Sequence, residues 1–193
     1  MRVSGKITAG WARFSARQSL LGLGALFCLA SSTPSLAAEV SLAELQATLR
    51  SLGFLTSLQH RPVITLGVVY HGADAEAKMQ AARVAASLAR IPGPGGASVQ
   101  ATVLSTQELS QSTLHLDALY LMALPNDGAR AASEFVRKQN VVSISSDPAC
   151  LDEGVCVLLV QARPNMTIIL DTALAQAAGA KFSTVFTMMV KRR

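Results

Sequence analysis

The chain has 193 residues, 17 Lys+Arg against 12 Asp+Glu, a net charge of +5 and a pI near 9.5. Half of it is hydrophobic, which excludes an acidic disordered chain and suffices for one domain with a buried core. Three cysteines exclude a disulfide scaffold, and no paired CxxC marks a structural zinc site.

The basic balance would suggest a nucleic-acid partner, but the charge is placed unevenly. Residues 1–37 carry Arg2, Lys6, Arg13 and Arg17 and no acid. An apolar run from Leu20 to Ala30 follows, then small residues with Ser35 and Ala37 at the −3 and −1 positions of a cleavage site. This is the order of a cleavable secretory signal, cut before Ala38. The run is shorter than the ~20 residues that span a bilayer. Cys28 follows Phe27, where a lipoprotein site would carry a small residue. The expected organisation is a signal over 1–37 and a single domain over 38–193. That domain carries 13 basic and 12 acidic residues, so no nucleic-acid partner is expected.

The domain opens with a helix: Ser41-Leu42-Ala43-Glu44 has capping-box spacing, and Leu42, Leu45, Leu49 and Leu52 recur at helical intervals up to Gly53. Val63–Tyr70 is a nearly continuous apolar run rich in β-branched residues, the pattern of a strand covered on both faces. Asp74–Ile91 reads as a helix with Met79, Ala82, Val84, Ala86 and Leu88 on its apolar stripe. Pro92–Gly96 is a flexible connection to a strand at Val99–Leu104, and Ser105–Glu108 repeats the capping box. A strand over Leu116–Leu124, a turn at Pro125–Gly128, a helix over Ala129–Lys138 and a strand over Val141–Ser145 follow. Strands at Val155–Gln161 and Met166–Leu170 flank a turn at Arg163-Pro164-Asn165, and helical segments cover Ala173–Ala178 and Phe182–Val190. Alternating strands and helices predict an α/β fold, a single mostly parallel sheet flanked by helices, with an antiparallel edge near the C-terminus.

In such sheets ligands favour the crevice beyond the carboxyl ends of the strands. Those ends carry Tyr70, His71 and Asp74, then Asn126 and Asp127, then Ser146 and Asp147, which are the candidate ligand-binding residues. The plainer reading makes Asp74 a helix cap, His71 an exposed loop residue, and Asn126 and Asp127 turn and cap residues. No GxSxG elbow is present, and His60 and His115 lie in no metal or triad spacing, so neither catalysis, nor a metal, nor a cofactor is expected. Cys150 and Cys156 flank the polar turn Leu151–Val155 in a chain assigned to an oxidising compartment. A local disulfide worth about 2 kcal/mol is the preferred reading, beside a redox-sensitive loop or a free metal-binding pair. Lys191-Arg192-Arg193 reads as a solvated tail, and Met188-Met189 as the core side of the last helix.

The carboxy-terminal third resembles the YfiR-type family of periplasmic repressors. The resemblance runs from Val142-Ser143-Ile144-Ser145-Ser146-Asp147-Pro148 through the cysteine loop to Ile168-Ile169-Leu170-Asp171, and on to Gly179-Ala180-Lys181-Phe182-Ser183. The family's aromatic-rich amino-terminal helix ending in Trp-Pro is replaced by Leu45–Phe54 with Arg61-Pro62 after it and no tryptophan. The resemblance implies a periplasmic protein that binds the periplasmic part of an inner-membrane diguanylate cyclase and represses it. It also implies a homodimer and a Cys150–Cys156 bond. The alternative expectation is a periplasmic small-molecule-binding protein related to one lobe of an ABC-transporter substrate-binding protein.

Overall fold

Strand β1 (Val63–Tyr70) organises the sheet, and six of its eight residues are buried. In the computed structural model, which describes residues 40–72 and 74–193, β1 pairs in parallel with β2 (Ser98–Ser105) on one side and β3 (Ala118–Leu121) on the other. The signal reading over 1–37 lies outside the described residues. β4 (Val142–Ser145) and β5 (Leu158–Gln161) extend the parallel set, and β6 (Thr167–Leu170) runs antiparallel to β5. A two-residue strand β7 (Lys191–Arg192) pairs in parallel with β6, giving the order β2-β1-β3-β4-β5-β6-β7. The protein is therefore α/β, with a mostly parallel sheet and an antiparallel pair near the C-terminus.

Helix α1 (Leu42–Leu52) starts where its capping box dictates. Ser41 Oγ accepts from the Glu44 amide at 3.2 Å, while Glu44 Oε2 accepts from the Ser41 amide at 2.8 Å. The second carboxylate oxygen, Oε1, accepts from the Ala162 amide at 3.0 Å, tying the start of α1 to the end of β5. Helix α2 (Ala75–Arg90) begins at Asp74, whose carboxylate accepts from the Glu76 amide at 2.9 Å. Helix α3 (Thr106–Gln111) repeats the capping box with Ser105 and Glu108. The two backbone and side-chain bonds from Ser105 hold the Glu108 carboxyl below its ordinary pKa. Helix α4 (Asn126–Gln139) ends at Asn140, which adopts left-handed backbone. The β1→β2 and β3→β4 crossovers step in opposite directions across the sheet. Right-handed connections therefore put α2 and α4 on opposite faces. α1 packs beside α2, and α3 beside α4.

Several boundaries differ from the sequence reading, each for a tertiary reason. The Leu116–Leu124 run shrinks to four strand residues because only those pair with β1 and β4. α4 starts at Asn126, three residues earlier than expected, with Pro125 at the cap position and no side chain capping it. The expected polar turn at Leu151–Val155 is confined to Glu153 and Gly154. A short helix α5 (Ala149–Asp152) occupies its start, and Leu151 and Val155 are both buried. The flexible connection before β2 contains a 3-10 turn, closed by the Ala97 amide donating to the Pro94 carbonyl at 3.2 Å, and the Gly93 amide donates across the loop to the Ala97 carbonyl at 2.9 Å. After α6 (Thr172–Ala177), α7 (Thr184–Met189) turns Phe186 inward but leaves Met188 73% and Met189 63% exposed. The core-side reading of those methionines is thus corrected.

The terminal Lys191-Arg192-Arg193 is likewise not a solvated tail. Its first two residues are β7, and Arg193 is anchored on both sides. Its backbone N–H donates to the Leu170 carbonyl, and its guanidinium reaches the Leu151 carbonyl at 2.7 Å and Asp171 at 3.2 Å.

Candidate functional site

The order β2-β1-β3 reverses the winding direction at β1, which opens a crevice between the carboxyl ends of β1 and β3. At the end of β1, Tyr70 is buried and pairs in register with Ser105 of β2. The chain then turns through Gly72, whose φ of +75° is a left-handed conformation that glycine adopts without a Cβ penalty. His71 lies, partly exposed, at the carboxyl edge of the sheet. Its Nδ1 lies 3.5 Å from Thr106 Oγ1, and its Nε2 lies 3.7 Å from Asp127 Oδ2. His71 and Asp127 are both solvent-accessible, so this pair adds little to stability whatever the imidazole charge. It does place a donor–acceptor ring and a carboxylate side by side at the sheet's edge, with the buried Thr106 hydroxyl behind the ring.

Gly128 makes the arrangement possible. A Cβ there would sit 2.9 Å from His71 Nδ1 and 3.3 Å from Thr106 Cγ2, so the first turn of α4 can approach the imidazole only without a side chain. Asp127 is exposed in that first turn, where the helix dipole favours its charge. Asn126, one residue earlier, goes elsewhere. It lines a separate groove of about 330 Å³ with Arg130, Arg137 and Glu153. Asp74 is occupied by its cap on α2.

A second polar group sits at the neighbouring strand ends. Tyr120 of β3 is 1% exposed and its hydroxyl donates to Ser146 Oγ at 3.1 Å. Burial pushes the phenol up to about 12 against the lowering effect of the Ser146 bond, with the Glu44 charge adding to the rise. The Asp147 amide donates to Ser145 Oγ, and its carboxylate accepts from the Ala149 amide at 3.1 Å, a local turn that launches α5. Ser145 Oγ itself donates to the Leu121 carbonyl at 2.9 Å, locking β3 to β4. The expected residues therefore divide. His71 and Asp127 meet, Ser146 joins Tyr120, Asp74 caps α2, Asp147 closes a local turn before α5, Tyr70 is in the core, and Asn126 lines a separate groove. Sequence reasoning missed Thr106, Tyr120 and Gly128. Thr106 follows a capping serine at the end of β2, the one local signal that placed it at the sheet's carboxyl edge.

Cys150 and Cys156 are disulfide-bonded with Cα atoms 5.5 Å apart, the local staple expected from the sequence. The bond lies in the core, with Cys150 and Cys156 both buried. It closes the segment whose Leu151 carbonyl accepts from Arg193. Among the described residues no group of His, Cys, Asp and Glu is arranged to hold a metal, and no helix is long and apolar enough to cross a membrane.

No family model and no curated protein matches the chain. Its likeness is to solved structures, and it is a likeness of fold alone. An ABC domain from Streptococcus pneumonia in complex with L-Trp is 14% identical with a TM-score of 0.56, the match covering 77% of this chain and 61% of that one. A conserved domain protein from Vibrio cholerae is 10% identical with a TM-score of 0.52, covering 77% and 59%. CD0873, a substrate binding protein with adhesive properties from Clostridium difficile, is 14% identical with a TM-score of 0.48, covering 67% and 54%. The chain thus spans little more than half the length of these structures.

Proposed function

We propose that the chain is an exported, non-catalytic binding domain that takes a small polar ligand in the crevice between β1 and β3. The observation that carries this reading is the meeting of His71, Thr106 and Asp127 at the point where the strand order reverses. The first amides of α4, with no side chain capping them, add an anion-favouring partner beside the carboxylate. A zwitterion fits such a mixture, and the pneumococcal neighbour holds L-Trp, so amino acids are the first class to test. The exported location is supported by the signal-like order of residues 1–37 and by the Cys150–Cys156 bond. The full chain is screened by thermal shift against the free amino acids. A saturable rise in Tm, lost in His71→Ala and Asp127→Ala variants that keep the wild-type circular dichroism, is the expected result. A panel without any shift, or a shift that both variants retain, would sink the proposal.

A second reading has its own observation. Val185, Met188 and Met189 present an apolar face on α7, adaptable in shape because methionine is unbranched and flexible. It suits a protein partner, and the resemblance of residues 142–183 to YfiR-type repressors names the class: the periplasmic part of an inner-membrane diguanylate cyclase. Repeated purification from membranes should recover such a cyclase with the wild-type chain and lose it with Met188→Ser/Met189→Ser. Recovery of none rejects this reading without touching the first.

A further inference from the structure

A groove of about 540 Å³ lies away from the crevice, between α1, β6 and the end of α7. Its floor runs along one flank of α1, where Ala43, Ala47 and Ser51 succeed one another, and continues to Phe54 just beyond the helix end. At the rise of an α-helix, the eight steps from Ala43 to Ser51 extend about 12 Å, and Phe54 lengthens the groove further. Its volume falls in the ~300–1,000 Å³ range of small-molecule sites.

The walls are apolar. Phe54 stacks on Phe186 with ring centroids 5.0 Å apart, and Ile168 of β6 lines the groove beside them. Met166 and Met189 also line it and are 48% and 63% exposed, so their flexible side chains can close over an occupant. Two cations line the groove, Arg50 from α1 and Lys191 from β7. Neither makes an ion pair among the described residues, and no Asp or Glu lines the groove. Glu44 is the acid next along α1, but both its oxygens are engaged by Ser41 and Ala162.

We infer that this groove binds a single-chain amphiphile with a carboxylate head, a fatty acid in chemical class. The length and apolar walls take an extended hydrocarbon chain, and the unmatched Arg50 and Lys191 take the anion. An uncharged hydrocarbon leaves the two cations unused, while a small hydrophilic anion leaves the aromatic wall wet. A two-chain lipid exceeds the space.

The probe is dodecanoate, titrated calorimetrically below its micellar concentration into the full chain. One saturable site is expected, with butyrate and the uncharged dodecanol at least tenfold weaker. Arg50→Gln/Lys191→Gln should weaken dodecanoate at least tenfold while leaving the urea midpoint unchanged, both positions being exposed. Ala43→Trp, at an exposed position on the floor, should abolish binding by filling the groove without disturbing the core. His71→Ala and Asp127→Ala should leave dodecanoate binding intact, which separates this site from the crevice. Absence of saturable binding overturns the inference, as does equal binding by the groove variants or a preference for dodecanol.

Discussion

Tyr120 offers a quantitative test of how the strand ends are built. Its ring is 1% exposed and its hydroxyl donates to Ser146, a neighbour that remains in reach of water. Removing the hydroxyl in Tyr120→Phe therefore forfeits one hydrogen bond without orphaning its acceptor, a cost of about 1 kcal/mol at neutral pH. The phenol also titrates differently in the two states. Burial raises it from 10.0 to about 12, so the folded protein holds this proton more tightly than the unfolded chain does. Stability from that difference is complete below pH 10 and disappears as pH rises toward 12. Two pKa units correspond to about 3 kcal/mol lost over that window. The wild type should therefore be the more stable protein at pH 8, and the variant the more stable above about pH 11, where the loss overtakes the hydrogen bond. Urea unfolding followed by circular dichroism at pH 8, 10, 11 and 12 reads both curves. Because every other titrating group is common to the two proteins, their difference isolates Tyr120. Parallel curves with no crossing would refute the account of a buried, protonated phenol.

The other predictions concern the disulfide, the crevice and the carboxy-terminal anchor. Cys150→Ser/Cys156→Ser should lose about 2 kcal/mol in urea unfolding, the loop-closure value for so short a ring. Alkylation of unreduced protein followed by mass spectrometry should leave both cysteines unmodified, and two labelled thiols would refute the bond. Gly128→Ala should push the imidazole of His71 aside, given the 2.9 Å approach of its Cβ to Nδ1. Helix propensity would offset most of the strain, so stability changes by less than about 1 kcal/mol. The test is a shift of the His71 ring resonances by NMR, and unchanged resonances would show that α4 does not press on the ring. Arg193→Ala should cost about 1 kcal/mol by breaking the bonds to Leu151 and Asp171, the exposed Asp152 pair adding little. Faster amide exchange at Thr172 and at position 193 with the rest of the sheet unaltered is the accompanying signature.

Legibility from sequence followed the range of the forces. The Ser41–Glu44 and Ser105–Glu108 boxes and the Asp74 cap were readable because a cap is satisfied within three residues. β1 was readable to its ends because a strand with six of its eight residues buried leaves a nearly continuous apolar run. The Cys150–Cys156 bond was readable because its ring is small and no other cysteine follows residue 37. Short elements were not. A six-residue helix such as α7 has under two turns, too few for periodicity to say that Phe186 faces in while Met188 and Met189 face out.

The candidate site shows the same division. His71 and Asp127 were legible as residues at strand ends, since the α/β pattern puts ligand groups there. Their meeting with Thr106 was not legible. It joins the ends of β1, β2 and β3, which only the strand order brings together, and it depends on a glycine in α4 that looked like part of a turn. The groove on α1 draws on residues more than a hundred positions apart, so no local pattern marks it. The sequence by itself determined the α/β class, the caps and the disulfide, because hydrophobic periodicity, capping and short-ring closure act over a few residues. Only the tertiary structure decided which polar groups share a crevice, which apolar residues stay at the surface, and that the final arginine locks a strand. Those depend on contacts whose partners lie far apart along the chain.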